Sequence, residues 1–212
     1  MPPAPEVRLQ AREPASTIWT IGHSTRSIDD FAELLRINRI EAVADVRRFP
    51  ASRAYPQYNE ANLRDALADR AVEYVWVPSL GGRRRPLPDS VNTAWRNEAF
   101  RGYADHIATE EFAAGLFELL MVGEGIHTAI MCSEAVWWRC HRSLISDVLR
   151  SIGFTVKHIV DKSEPKEHPY SSPARVIDGQ LTYPQAPEMI VPVDDLWSTA
   201  QPPDAARAEK SS

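Results

Sequence analysis

Short apolar runs and longer amphipathic stretches alternate regularly through the middle of this chain. The apolar runs, such as TIWTI and VEYVWV, are rich in β-branched and aromatic residues, a composition that favours buried strands. The stretches between them carry apolar residues on one helical face and begin at capping residues such as Ser27. Strands that alternate with helices through short connections form a parallel sheet with helices on both faces. The chain therefore predicts a three-layer, Rossmann-like α/β fold with a mostly parallel central sheet of about five strands.

The predicted elements occupy the middle of the chain and leave two ends without a pattern. The predicted strands are residues 17–21, 40–46, 72–77, 127–131 and 155–160. The predicted helices are residues 27–39, 59–70, 109–121 and 141–153. Residues 1–16 and 186–212 are rich in Pro, Ala and charged residues, which is typical of disordered tails. We therefore expect a single α/β domain over residues 17–185.

Composition limits the classes of protein to which the chain can belong. The net charge is −5 and the pI is about 5.7, which argues against a general nucleic-acid coat while leaving room for local basic clusters. No apolar run approaches the roughly 20 residues of a membrane helix, and the first residues lack the apolar core of a signal peptide. We expect a cytoplasmic protein with no membrane partner. Its two cysteines are too few for a disulfide framework, so they should be thiols, ligands or redox-active groups.

Polar residues follow four of the predicted strands at the points where the strands end. Because ligands of open α/β sheets bind at the carboxyl ends of the strands, we expect these residues to surround one crevice. They are His23, Ser24, Asp45, Arg47, Ser52, Gly81, Gly82, Cys132 and Glu134.

The segment AIMCSEAVWWRCHR, residues 129–142, contains both cysteines of the chain. Cys132 lies between a predicted strand and a predicted helix, where backbone N–H groups, Arg139 and Arg142 would stabilise a thiolate and lower the pKa of Cys132. Packing as a small buried side chain is the alternative for Cys132. Cys140 lies on the buried stripe of the following helix, so we expect it to pack and to react slowly.

Several motifs together resemble one known family, the domain-of-unknown-function family DUF488. They are TIGHS, DVRRFPAS, SLGG, MCSEAVWWRCHR, GFTVKHI and EHPYSSPARVIDGQLTYP, in this order over residues 17–184. The resemblance implies an α/β fold and a family signature but no reaction. The signature residues are Cys132, Glu134, Cys140, His141 and Arg142.

The leading functional hypothesis is an enzyme that acts on a small anionic or nucleotide-like substrate. Cys132 would be the nucleophile or redox thiol, and His23 or Glu134 would carry the proton. Anions would be clamped by arginines, and no cofactor is expected. The proposed binding residues are Ser24, Asp45, Arg47, Ser52, Gly81, Gly82, Arg139, His141 and Arg142.

Two other hypotheses stay open. In a non-enzymatic nucleotide or nucleic-acid binder, the GRRRP segment would contact phosphates, Trp137 or Trp138 would stack on a base, and the cysteines would only pack. A zinc site could draw on both cysteines, His141 and His23, although Cys-x7-Cys lacks the tight spacing of structural zinc sites. The later His168 is expected in a segment that folds back over the crevice.

Overall fold

The computed structural model describes residues 17–177 and 180–185, and these residues form an α/β fold with five α-helices. The strands are β1 (Thr17–Gly22), β2 (Ala42–Asp45), β3 (Glu73–Trp76), β4 (Thr128–Cys132), β5 (Thr155–Ile159), β6 (Lys166–Glu167), β7 (Arg175–Ile177) and β8 (Gln180–Thr182). The helices are α1 (Ile28–Ile37), α2 (Glu60–Ala68), α3 (Glu98–His106), α4 (Glu110–Val122) and α5 (Arg142–Ser151). The predicted tails, residues 1–16 and 186–212, lie outside the described residues.

One mostly parallel sheet of six strands forms the middle layer, in the order β3-β2-β4-β1-β5-β6. The first five of these strands pair in parallel, and β6 adds an antiparallel edge. The predicted three-layer α/β fold is therefore confirmed. Strands β7 and β8 form a separate antiparallel two-stranded sheet that the sequence did not predict.

Alternating side chains of the central strands give the sheet two buried faces. Ile18 of β1 packs in a cluster with Leu119 of α4 and Leu144 of α5. Ile21 of the same strand packs on the other side with Phe31 of α1 and Leu63 of α2. The period of two in β1 therefore supplies both faces, as expected for a strand covered on both sides.

The position of β4 brings the polar strand ends together. In dinucleotide-binding sheets the first strand lies beside the second, whereas here β4 lies between β1 and β2. Gly22 at the end of β1 is in register with Cys132 at the end of β4. The backbone N–H of His23 continues the pairing by donating to Cys132 O at 3.0 Å, and Val46 N donates to Met131 O at 3.0 Å. Three strand ends thus meet at the centre of the sheet.

Helix boundaries follow local hydrogen bonds. The Ser27 side chain caps α1 by accepting from Asp30 N, and Thr109 caps α4 by accepting from Phe112 N. Asn59 precedes α2 but does not cap it, because its Oδ1 accepts from Ser52 N at 2.7 Å and holds the preceding loop instead. None of the described helices is both long and apolar enough to cross a membrane.

Candidate functional site

A crevice of about 760 Å³ opens at the carboxyl edge of the sheet. Its volume is within the range of pockets that hold small ligands. Most of the predicted site residues line it. They are His23, Ser24, Arg47, Ser52, Gly82, Cys132, Glu134, Arg139 and His141, and the wall also contains Cys140.

Three predicted binding residues, Asp45, Gly81 and Arg142, lie outside the lining of the crevice. Asp45 is fully buried and accepts hydrogen bonds from Arg47 Nε at 2.9 Å and from the Tyr74 hydroxyl at 2.7 Å. It therefore holds Arg47 in place rather than contacting a ligand. Gly81 packs so closely on the backbone of Arg48 that a Cβ atom would lie 2.8 Å from the Arg48 Cα.

His23 is buried at the side of the crevice and is neutral at pH 7. Its Nδ1–H donates to Ser24 O at 2.9 Å, and its ring stacks on Tyr58 at 4.0 Å between centroids. Burial above all, together with the charge of Arg47 and against the opposing hydrogen bond to Ser24, lowers the pKa of His23 to about 4. Because Arg47 Nη1 lies 3.4 Å from the free Nε2, His23 is better suited to orient Arg47 than to take up a proton.

Cys132, Cys140 and His141 form the thiol floor of the crevice. The two Sγ atoms and one ring nitrogen of His141 lie within 4.8 Å of one another. His141 Nε2–H donates to Val46 O at 3.1 Å, which leaves Nδ1 beside the Cys140 sulfur at 3.7 Å. Only glycine fits at position 82, since a Cβ there would lie 2.8 Å from His141 Nδ1.

Arg142 lies beneath the thiol floor and is 1% exposed. Its Nε donates to Cys140 Sγ at 3.4 Å, and its Nη2 donates to Glu134 O. None of the ion pairs among the described residues includes Arg142. A buried guanidinium is costly without a nearby negative charge, and the ionisable side chain to which Arg142 donates a hydrogen bond is that of Cys140. The surroundings of Arg142 therefore favour a thiolate at Cys140.

The two cysteines differ in acidity, in the direction opposite to the one expected from the sequence. Burial opposes ionisation of Cys140, but the Cys132 thiol, His141 and Arg142 together hold the pKa of Cys140 well below its ordinary value. Contact with Cys140, reinforced by burial, raises the pKa of Cys132 well above its ordinary value. The sequence predicted an acidic Cys132 and an inert Cys140, whereas the structure favours Cys140 as the more acidic of the two, because α5 begins only at Arg142, next to Cys140 rather than next to Cys132.

The loop between the two cysteines crosses the end of β1 at a glycine. A Cβ on Gly22 would lie 1.8 Å from Glu134 O, so no larger residue fits without moving this loop. The Glu134 side chain is exposed at the crevice. Trp137 stacks on His158 with centroids 4.1 Å apart and an interplanar angle of 8°, while Trp138 is 54% exposed. One face of Trp137 is therefore covered by His158, and Trp138 is the more exposed of the two rings.

Positive charge surrounds the mouth of the crevice. Arg48, Arg83 and Arg139 are exposed, line the crevice and form no ion pair with a described carboxylate. Glu134 is the sole carboxylate residue among the described lining residues. The segments DVRRFP and GRRRP signalled this charge in the sequence, but Arg84 of the second segment is bound to Glu111 at 2.8 Å.

A buried chain of hydrogen bonds next to the floor was not predicted. Thr20 Oγ1 bonds to His158 Nδ1 at 2.7 Å, and His158 Nε2 bonds to His168 Nδ1 at 2.9 Å. His168 Nε2–H then donates to Asp147 Oδ1 of α5 at 2.9 Å. His168 is thus buried against α5 and does not belong to the described lining of the crevice. Histidines 10 residues apart in sequence carry no pattern that predicts such a pairing.

The thiol floor is also the group of described residues with the best chemistry for a soft metal ion. Its three candidate ligand atoms would leave a fourth position open to the crevice, as in catalytic zinc sites. His23, the fourth ligand considered from the sequence, does not belong to this group. Charge balance weighs against the metal, because two thiolates would neutralise a divalent ion and leave the buried Arg142 without a counter-charge.

Comparison with known families gives one match. The profile of the family described as "Domain of unknown function DUF488" matches residues 27–149, more than half of the chain. The matched region includes the thiol floor, Glu134 and Arg142. No curated protein and no solved structure matches the chain.

Proposed function

This chain belongs to the DUF488 family, and on that premise we propose that it is an enzyme whose crevice thiolate reacts with a small anionic or nucleotide-like substrate. One observation carries the proposal: the Cys140 sulfur lies between the Arg142 guanidinium and the His141 ring at the wall of a ligand-sized crevice. A thiolate is the nucleophilic form of cysteine, so the residue that can hold the negative charge is the reactive one. Cys140 therefore takes the nucleophile's role that the sequence suggested for Cys132.

The exposed arginines at the mouth support an anionic substrate. Arg48, Arg83 and Arg139 have no carboxylate partner among the described residues, so their charge is available to a ligand. A cleft lined by one sign of charge raises the local concentration of oppositely charged molecules. The same arginines would serve a non-enzymatic nucleotide binder. Binding alone, however, does not require a buried guanidinium that donates a hydrogen bond to a thiol.

Alkylation with two reagents that differ in charge tests the proposal. Iodoacetate is an anion and iodoacetamide is neutral, while both transfer a carbon to a thiolate and release iodide. At pH 7 we expect peptide mapping to find Cys140 labelled before Cys132. Relative to a free cysteine, the protein should favour iodoacetate. Arg83→Gln and Arg139→Gln should each reduce this preference, because they remove charge from the mouth.

Arg175→Gln is the matched control, since Arg175 is exposed and does not line the crevice. It should leave both rates unchanged. Equal and slow labelling of the two cysteines would contradict the thiolate. Rapid labelling of Cys140 without any preference for iodoacetate would contradict the anionic substrate and leave the thiolate standing.

A further inference from the structure

The two sulfur atoms of the thiol floor are neighbours and both belong to the wall of the crevice. Their Sγ atoms lie within 4.8 Å of each other, and each cysteine is free. The chain contains no third cysteine. A disulfide requires the sulfurs to approach to about 2.05 Å. The connecting loop, which includes the exposed residues Ser133, Trp138 and Arg139, is the part that can shift to allow this.

The two sulfur atoms have different surroundings, and these favour a different role for each thiol. Cys140 receives the hydrogen bond from Arg142 and lies beside His141. Cys132 instead lies 3.9 Å from the Ser133 hydroxyl and has a backbone hydrogen bond from Glu134. One sulfur is thus prepared as a thiolate and the other stays protonated next to it. This is the division between an attacking thiol and a resolving thiol.

Arg142 also determines how stable the oxidised pair would be. A disulfide between Cys132 and Cys140 would carry no charge and would leave the buried guanidinium without its anion. The reduced form is therefore favoured, so the pair is a weak reductant at equilibrium and its reaction with a disulfide is driven by excess substrate and by reduction of the protein disulfide with an external thiol. A disulfide formed here should be readily reduced by a second thiol, which allows the pair to turn over.

Resting on the proposed function, we infer that Cys132 and Cys140 form a dithiol couple that reduces small disulfides carrying carboxylates. The Cys140 thiolate attacks one sulfur of the substrate, the substrate S–S bond breaks, and one substrate thiolate leaves and takes up a proton. The Cys132 thiol then loses its proton and attacks Cys140 Sγ, which expels the second substrate thiolate. Two electrons pass from the protein thiols to the substrate, and an external thiol reduces the protein disulfide again.

Glutathione disulfide is a suitable probe, because it is small and carries several carboxylates. The reduced wild-type protein, Cys132→Ser and Cys140→Ser are each mixed with a large excess of it, quenched with acid and weighed by intact mass spectrometry. The wild type should lose two hydrogens and retain no glutathione. Cys132→Ser should trap one glutathione on Cys140, because no thiol remains to release it. Cys140→Ser should react with glutathione disulfide at about one tenth of the wild-type rate or more slowly.

Peptide mapping of the wild type for a Cys132–Cys140 disulfide makes the test independent of how well either variant folds. A wild-type protein that retains bound glutathione would overturn the dithiol couple. Trapping on Cys132 in Cys140→Ser at the wild-type rate would overturn the division of roles. One equivalent of zinc that blocks both thiols until it is chelated would overturn the inference in favour of a metal site.

The two proposals can fail separately. If iodoacetamide labels Cys140 rapidly but glutathione disulfide yields no protein disulfide, the thiolate enzyme stands and the dithiol couple falls. If Cys140 resists both reagents, the proposed function itself falls.

Discussion

At the scale of single residues, the proposal that Cys140 is the reactive cysteine depends on Arg142. It is buried, it makes no ion pair with a described carboxylate, and it donates directly to Cys140 Sγ. A hydrogen bond from a charged donor is stronger than one between neutral groups, and the buried position limits screening by water. Arg139, which the sequence analysis also expected to stabilise a thiolate, is exposed and makes no such contact.

Replacing Arg142 by glutamine should therefore slow the alkylation of Cys140 at pH 7 by about tenfold or more. The variant removes the positive charge, so the pKa of Cys140 rises, and each unit by which it exceeds pH 7 lowers the thiolate fraction about tenfold. The measurement is the rate of iodoacetamide labelling, followed by peptide mapping. Arg139→Gln is the control and should leave the rate with this neutral reagent unchanged. An unaltered rate in folded Arg142→Gln would refute the role of Arg142.

At the scale of elements, α5 connects the thiol floor to the later part of the chain. Its first residue, Arg142, contacts Cys140, and its Asp147 accepts hydrogen bonds from His168, Ser171 N and the Tyr183 hydroxyl. The chain of hydrogen bonds runs on through His158 to Thr20 of β1. Since Trp137 stacks on His158, this chain also supports the loop that carries the thiols.

Acid should destabilise the fold through His158. Burial, the neighbouring His168 and the charge of Arg142 lower the pKa of His158 to about 2, against an ordinary value near 6.5. The folded state thus requires the neutral ring. Its contribution to stability is complete above about pH 6.5 and is lost as the pH falls from there towards 2. For one histidine of this kind, the free energy of unfolding decreases by about 1.4 kcal/mol for each pH unit.

Urea unfolding between pH 7.5 and pH 5 measures this effect. In His158→Gln the decrease of stability with falling pH should be smaller than in the wild type, although the variant is less stable at neutral pH. A matched control is His127→Gln, which replaces an exposed histidine outside the chain of hydrogen bonds. Identical pH dependence in His158→Gln and in the wild type would refute a buried neutral His158.

The elements that the sequence did not predict lack a recognisable hydrophobic period. Helix α3 buries Asp105 and His106 together with Tyr103, so its buried side does not read as an apolar stripe. Strands β6, β7 and β8 have at most three residues each, too few to show a period of two. The long alternating segments were predictable because each of these helices buries one apolar stripe and the central strands are apolar on both faces.

The candidate site was predictable only in part. That the strand ends carry the polar residues follows from the alternation of elements, and most of these residues line the crevice. The roles of the two cysteines did not follow, because they depend on where one guanidinium lies. Arg142 is two residues from Cys140 in sequence, yet the helix pattern made Cys140 look like a packing residue. Distances between side chains are needed to tell which of the two cysteines is favoured as the thiolate.

At the scale of the whole molecule, an acidic protein presents a basic crevice. The net charge is −5, whereas the mouth of the crevice carries three exposed arginines and one carboxylate residue. A second cavity of about 730 Å³ lies at the opposite edge of the sheet, and two of its three arginines, Arg36 and Arg70, are paired with Glu33 and Asp29. Of the two cavities, the crevice with the thiols therefore has more exposed arginines without a described carboxylate partner.

Salt should weaken the reaction with anions selectively. Raising the ionic strength from about 0.01 M to about 1 M shortens the screening length from roughly 30 Å to 3 Å. We expect the rate of Cys140 with iodoacetate to fall several-fold and the rate with iodoacetamide to stay constant. Labelling reactions that are quenched after set times at each salt concentration give the rates of Cys140 with iodoacetate and with iodoacetamide. Parallel behaviour of the two reagents would show that the mouth arginines do not attract anions.

The central claim is that the crevice holds a thiolate at Cys140, and a pH titration of thiolate ultraviolet absorbance tests it most directly. The absorbance of the wild type, Cys132→Ser and Cys140→Ser is measured against the double variant. The wild type and Cys132→Ser should show a thiolate that forms well below the ordinary cysteine pKa of about 8.5, and Cys140→Ser should lack it. A low-pH step that persists in Cys140→Ser and disappears in Cys132→Ser would contradict the claim.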